Sequence, residues 1–162
     1  MEIWDVYDIH GNKLNKTIVR DPKNKLGKGE YHMGSCVFIR DENDNFLIQQ
    51  RSFKKDLYPG KWSITGGSAV SGENEVQCAI REVNEELGIT LKPQDLTKIY
   101  HFIKRKCLFN VFVAYASKNS KITRQDEEVE QTAWVSRQQM LDLYNQGEFM
   151  LPYIDRMLKR IK

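Results

Sequence analysis

The segment from Gly67 to Ile89, GSAVSGENEVQCAIREVNEELGI, constrains the fold more than any other part of the chain. Within it Val76, Ala79, Ile80, Val83 and Leu87 recur at helical spacing. That spacing predicts an amphipathic helix opening at Glu73, with the stripe turned into a core and Gly88 as its stop. Glu82, Glu85 and Glu86 stand at i, i+3 and i+4, so they share an arc of roughly 100°, about 120° from the centre of the stripe. Like charges at this spacing cost ~0.2–0.5 kcal/mol per pair, and three together cost more unless a cation joins them. Their oxygens can converge on a hard divalent ion such as Mg²⁺, which takes oxygen ligands and is usually shared with substrate phosphates. Taken alone, the same pattern also describes a solvated acidic face. Gly66 and Gly67, just ahead of the helix, let the backbone turn sharply and approach a metal or phosphate closely.

The remaining segments read mostly as strands. IWDVYDI is a strand followed by a turn at HGNK, and GSCVFIRDENDNFLIQQRS is a hairpin turning through Asp41 to Asn45. KWSITGG is a short strand ending in paired glycines. LTKIYHFIK and CLFNVFVAYA are two more strands joined at RK, and EQTAWVS is another. Ser136 with Gln139 forms a capping box that opens a helix running to about Tyr144, and a last helix is expected from about Met150 to Ile161. Leu151, Ile154, Met157, Leu158 and Ile161 make its apolar stripe, which reads as core packing, as do the aromatics Phe53, Tyr58 and Trp62. Strands outnumber helices and are mostly hairpin-linked, so the class is a mixed α/β sandwich rather than a parallel doubly wound sheet.

Written as a spacing, the first segment is Gly67, five residues, Glu73, seven residues, then Arg81, Glu82, Val83, Asn84, Glu85, Glu86, Leu87, Gly88 and Ile89. It reproduces GX5EX7REUXEEXGU, with U aliphatic, the box of the Nudix hydrolases. Average composition would produce such a match with odds on the order of one in ten million, so the chain is identified as resembling that family. The resemblance implies an α/β Nudix fold, a mixed β-sheet sandwiched between α-helices, over a single domain spanning 1–162. It implies a Mg²⁺-dependent hydrolase, with Mn²⁺ as a substitute, that cleaves a diphosphate linked to another moiety such as a nucleoside diphosphate derivative. Glu82, Glu85 and Glu86 would hold the metal, the Gly66 carbonyl would add a ligand, and Arg81 would fork onto a neighbouring carboxylate to orient it. The general base would come from outside the box, and QDEEVEQTAWVS offers Glu128 first, then Glu127, with Glu130 beside them.

YHMGSCVFIRDENDNFLIQQRSFKKDLYPGKW is similar to the corresponding region of isopentenyl-diphosphate isomerases, which share the Nudix fold. There an arginine followed four residues later by a lysine grips the diphosphate, and Arg51 and Lys55 stand at that spacing. His32 falls at an isomerase metal-ligand position, although a lone histidine at a strand start is more often simply hydrogen-bonded. Isomerases carry a cysteine and a histidine on either side of the box glycine, where this chain has Gly66 and Ser68. Glycine has no side chain to move a proton, so the isomerase alternative is disfavoured. A non-catalytic Nudix binding module is the other alternative, and the intact carboxylates argue against it.

The chain has 162 residues, a net charge of +3 and 40% hydrophobic residues, which suit one soluble globular domain without the basic footprint of a dedicated nucleic-acid binder. Cys36, Cys78 and Cys107 are odd in number with no CxxC pair, so free thiols and a cytoplasmic location are expected. No apolar run approaches the ~20 residues of a membrane span. The expected partner is a small-molecule diphosphate, and a homodimer stays open.

Overall fold

The computed structural model describes residues 1–162. Its strands are β1 (Ile3–Tyr7), β2 (Lys13–Val19), β3 (His32–Arg40), β4 (Phe46–Arg51), β5 (Trp62–Ser63), β6 (Thr65–Ser68), β7 (Thr97–Lys104), β8 (Cys107–Tyr115) and β9 (Val129–Val135). The helices are α1 (Glu75–Leu87), α2 (Arg137–Asn145) and α3 (Ile154–Leu158). A seven-stranded sheet runs β5-β4-β3-β8-β7, with β6 paired to β3 and β9 to β4, while β1 and β2 form a separate ribbon. The large sheet is mixed because β3 lies parallel to β8 along its whole length, from His32 opposite Cys107 to Arg40 opposite Tyr115.

Alternation along the strands builds the two cores. Val37, Ile39, Leu47, Phe112 and Ala114 point to one face, where Ala79, Val83 and Leu87 of α1 cover them. Cys36, Phe38, Phe46, Ile48 and Val111 point to the other, under Met140 of α2 and Ile154, Met157 and Leu158 of α3. Successive strand residues face opposite ways, so the fully apolar run CVFI in β3 reads as a strand covered on both sides. The sheet is thus sandwiched between helices.

The way β3 is shared positions everything near the glycine pair. At one end Ile39 and Arg40 pair with β4, whereas at the other Gly34, Ser35, Cys36 and Val37 pair with β6. β4 therefore diverges from β3 and pairs instead with β5 and β9. The mouth of this split lies beside Gly66 and Gly67.

Several expectations are corrected. The helix after the glycine pair begins at an Asn74 cap rather than at Glu73: the Asn74 side chain accepts from the Gln77 amide and Gln77 reciprocates. Lys13–Val19 forms a strand that its sequence does not announce, because its first five residues are exposed and no apolar alternation marks it. Its partner is β1, with Trp4 opposite Ile18. The last helix is only Ile154–Leu158, since the Met150 amide donates to the Trp62 carbonyl at 2.9 Å and Tyr153, at φ 60°, precedes the first helical residue. Leu151 and Ile161 are nonetheless buried with the rest of that stripe. Among the aromatics expected in the core, Phe53 is 64% exposed.

Leu87→Ala should lower the unfolding free energy by about 2–5 kcal/mol, because Leu87 is buried among apolar side chains between α1 and the sheet. Asn74→Ala should cost only about 1 kcal/mol through the lost cap. Urea titration of both variants checks the ranking, and equal losses would contradict this packing.

Candidate active site

The box helix presents its acids to the split in the sheet. Glu86 is buried, at 6% exposure, and its carboxylate is fully engaged. Oε1 accepts from the Gly66 amide at 2.9 Å and the Thr65 hydroxyl at 3.0 Å, while Oε2 accepts from the Gln49 side-chain amide. Burial pushes its pKa up to about 7, the Glu82 charge adds to the rise, and these hydrogen bonds only partly offset it. Glu82 lies against the next residue of β6, where a Cβ added to Gly67 would collide with its carboxylate. Glycine at 67 is what permits that approach. Burial also raises the Glu82 pKa, against the pull of Arg81.

Arg81 ties the cluster together. Its Nε and Nη2 form a fork onto the two oxygens of Glu73, at 2.6 and 2.9 Å, and Nη2 also donates to the Ser68 carbonyl at 3.0 Å. Nη1 donates to Glu82 at 2.8 Å and to Glu85 at 3.2 Å. Glu73 in turn accepts from the Val70 amide at 3.0 Å, which fastens the loop before α1. The expected convergence of three carboxylates on one point is therefore not the arrangement found. Glu82 and Glu85 lean on the Arg81 guanidinium, Glu86 turns into the sheet, and no group of three or more His, Cys, Asp or Glu side chains is gathered as a metal cage.

The donor set still fits a hard divalent ion. It is all oxygen, it comprises Glu82, Glu85, Glu86 and the backbone at Gly66, and it holds the buried Glu86 beside the half-buried Glu82, whose charges repel each other. Beside Glu86, the Gln49 Oε1 is buried with no hydrogen-bond partner, an acceptor left over next to those acids.

Of the basic residues, Arg51 donates from Nε to the Leu57 carbonyl at 2.5 Å and borders a cavity beside Gly66 and Gly67. Lys55 is instead paired with Glu128, Nζ to Oε1 at 2.6 Å, and the Glu128 carbonyl accepts from the Ser52 amide at 2.9 Å. Arg51 thus borders this cavity, whereas Lys55 is not among its walls. Gln49 and Thr65 were absent from the sequence reading. The signal for Gln49 was available: it follows Leu47 by two in β4 and so shares the face covered by α1, a polar residue at a core position.

His32 lies outside the acidic cluster. Its ring stacks on Trp4, with centroids 3.9 Å apart and planes 7° from parallel, and Nδ1 is buried without a partner. Burial lowers its pKa to about 4.

The NUDIX domain model matches residues 30–157. The chain belongs to the Nudix family. An uncharacterized Nudix hydrolase of Listeria innocua is 35% identical over 161 residues, covering 94% of this chain and 90% of the relative, and its Listeria monocytogenes counterpart matches equally well, 35% identical over 159 residues. A Deinococcus radiodurans crystal structure superposes with a TM-score of 0.80 over 99% of this chain and 100% of that one, at 18% identity, which speaks to the fold alone. The MutT protein of Methanosarcina mazei superposes at 0.66, with 26% identity over 80% of this chain and 92% of its own. The α/β Nudix fold expected from the box is the fold observed.

The histidine yields a pH dependence. A group whose folded pKa is depressed stabilises the fold above its unfolded pKa, here about 6.5, and that contribution is lost as pH falls toward about 4. The contribution of His32 to the loss should reach about 3 kcal/mol, opposed over the same range by the raised Glu86 carboxyl, and His32→Phe should remove the histidine's share. Urea unfolding between pH 7 and pH 4 reads the slope, and an unchanged slope in the variant would count against it.

Proposed function

We propose that residues 1–162 form a single Nudix domain that hydrolyses a diphosphate linked to another moiety, with a divalent cation, Mg²⁺ or Mn²⁺, held by Glu82, Glu85, Glu86 and the Gly66 carbonyl. The observation that carries the reading is that a buried and a half-buried carboxylate flank one glycine bend: Glu86 accepts from the Gly66 amide at 2.9 Å, and Glu82 occupies the space that a side chain at residue 67 would fill. Arg81 pairs with Glu82 but not with Glu86, and a buried acid beside another is costly unless further positive charge joins them. A divalent cation held there would supply that charge, neutralise diphosphate oxygens and lower the pKa of an attacking water.

The chain's own groups do the rest. Arg81, forked on Glu73, fixes the α1 acids against the bend and is a positioning residue. Arg51 and Lys55 bind phosphate oxygens, and Glu128 accepts the proton from water, with Glu127 as its substitute. The 2.6 Å Lys55–Glu128 pair orients that carboxylate. Water oxygen bonds to one phosphorus as a P–O bond of the diphosphate bridge breaks, one water proton passing to Glu128 and the other staying on the phosphate formed. Isomerase chemistry is disfavoured sterically as well: a Cβ at Gly66 would lie 2.7 Å from the Cys36 Cβ, so no cysteine fits there without backbone movement.

With Mg²⁺ and a panel of nucleoside and other substituted diphosphates, release of phosphate or monophosphate is expected, and chelation of the metal should abolish it. Glu85→Gln and Glu86→Gln should each lower kcat by about a hundredfold or more with the circular-dichroism melt retained. Glu128→Gln should lower kcat with the fold retained. Unchanged rates in both box variants would refute the ligand assignment, and an isomerised product without phosphate release would refute hydrolysis.

A further inference from the structure

Beside Gly66 and Gly67, with none of the box acids in its walls, lies a cavity of about 270 Å³. Its walls are Cys36, Ile64, Phe102, Cys107, Phe109 and Leu151. Phe102 and Phe109 stack on each other with centroids 5.0 Å apart. Both thiols are buried and pushed well above their usual pKa, so they remain neutral and act as small apolar groups. At the mouth stand Arg51, Lys104 and Arg105, none of which forms an ion pair, with Tyr58 beneath Lys104 Nζ at 5.5 Å and Arg105 Cζ at 5.2 Å. Behind that mouth the polar side chains on the walls are those of His32 and Ser63.

Resting on the hydrolase reading, we propose that the group carried by the diphosphate is a hydrocarbon chain of about ten carbons. The chain lies in this cavity, and the diphosphate meets the three cations at the mouth. Two features select this class. A nucleoside would bury several donors and acceptors against walls with two polar side chains, and each one left unpartnered weakens binding roughly five- to a hundredfold. The volume also bounds the length: an apolar cavity of about 150 Å³ holds benzene, so 270 Å³, part of it at the cation-lined mouth, takes at most roughly ten or eleven carbons. The unpaired cations at one end and apolar walls at the other match an amphiphile whose charge is confined to its head.

Calorimetry with dimethylallyl, geranyl and farnesyl diphosphate and with ADP-ribose, in metal-free buffer, reads the cavity without requiring turnover. Geranyl diphosphate should bind about tenfold or more tighter than the five-carbon chain or ADP-ribose, since each buried methylene is worth roughly fourfold. Met150→Trp, at the half-buried edge of the cavity, should move the preference toward five carbons, and Leu151→Ala toward fifteen. A preference for ADP-ribose, or affinity flat with chain length, overturns the proposal. The geranyl preference in a protein that hydrolyses no diphosphate sinks the hydrolase reading and leaves the cavity assignment standing. Hydrolysis of nucleotide substrates without geranyl binding does the reverse.

Discussion

A single buried carboxylate joins the layers on which the site is built. Glu86 leaves α1 near its C-terminal end and accepts from the Gly66 amide, the Thr65 hydroxyl and the Gln49 side chain, so one acid links the helix to β6 and β4. Hydrogen bonds to a charged group are about twice as strong as neutral ones, and they hold α1 in register with the glycine bend. The apolar stripe sets how closely the helix lies on the sheet, but a stripe tolerates sliding. Directional bonds at Glu86 do not.

That junction is available because β3 is shared. Pairing of its N-terminal half with β6 and its C-terminal end with β4 opens the sheet where Gln49 and Thr65 come together. Glu82 then reaches the Gly67 backbone without obstruction, and Arg81 neutralises it while gripping Glu73 on the incoming loop. Glycine at 67 thus admits Glu82, glycine at 66 leaves room for Ser35 and Cys36 of β3, and both residues border the cavity.

The two faces of this bend differ in chemistry. Toward α1 everything is oxygen and charge, whereas the cavity side is rings, aliphatic chains and neutral thiols behind a rim of three unpaired cations. A molecule that touches both must carry negative charge at one end and tolerate dry walls at the other. On the function proposed above, the metal ligands would belong to the box helix and selectivity to residues scattered over β3, β6, β7, β8 and the segment after Gly147.

Local pattern carried much of this in advance. The stripe from Val76 to Leu87 determined a helix and its buried face because helical period is a property of nearest neighbours along the chain, and the stop at Gly88 appears with φ 69°. The spacing of Glu73, Arg81, Glu82, Glu85 and Glu86 likewise determined the family and hence the layered sheet. The strand β2 was invisible because its stability comes from pairing with β1 rather than from its own exposed residues. The last helix was overestimated because burial of Leu151 and Ile161 satisfies the same periodicity whether or not the backbone around them is helical. Only the tertiary structure decided that Gln49 and Thr65 clasp Glu86, that Lys55 pairs with Glu128, and that an apolar cavity backs the glycine bend. Those contacts join residues remote in sequence, and their geometry depends on which strands are neighbours, a property that no single segment encodes.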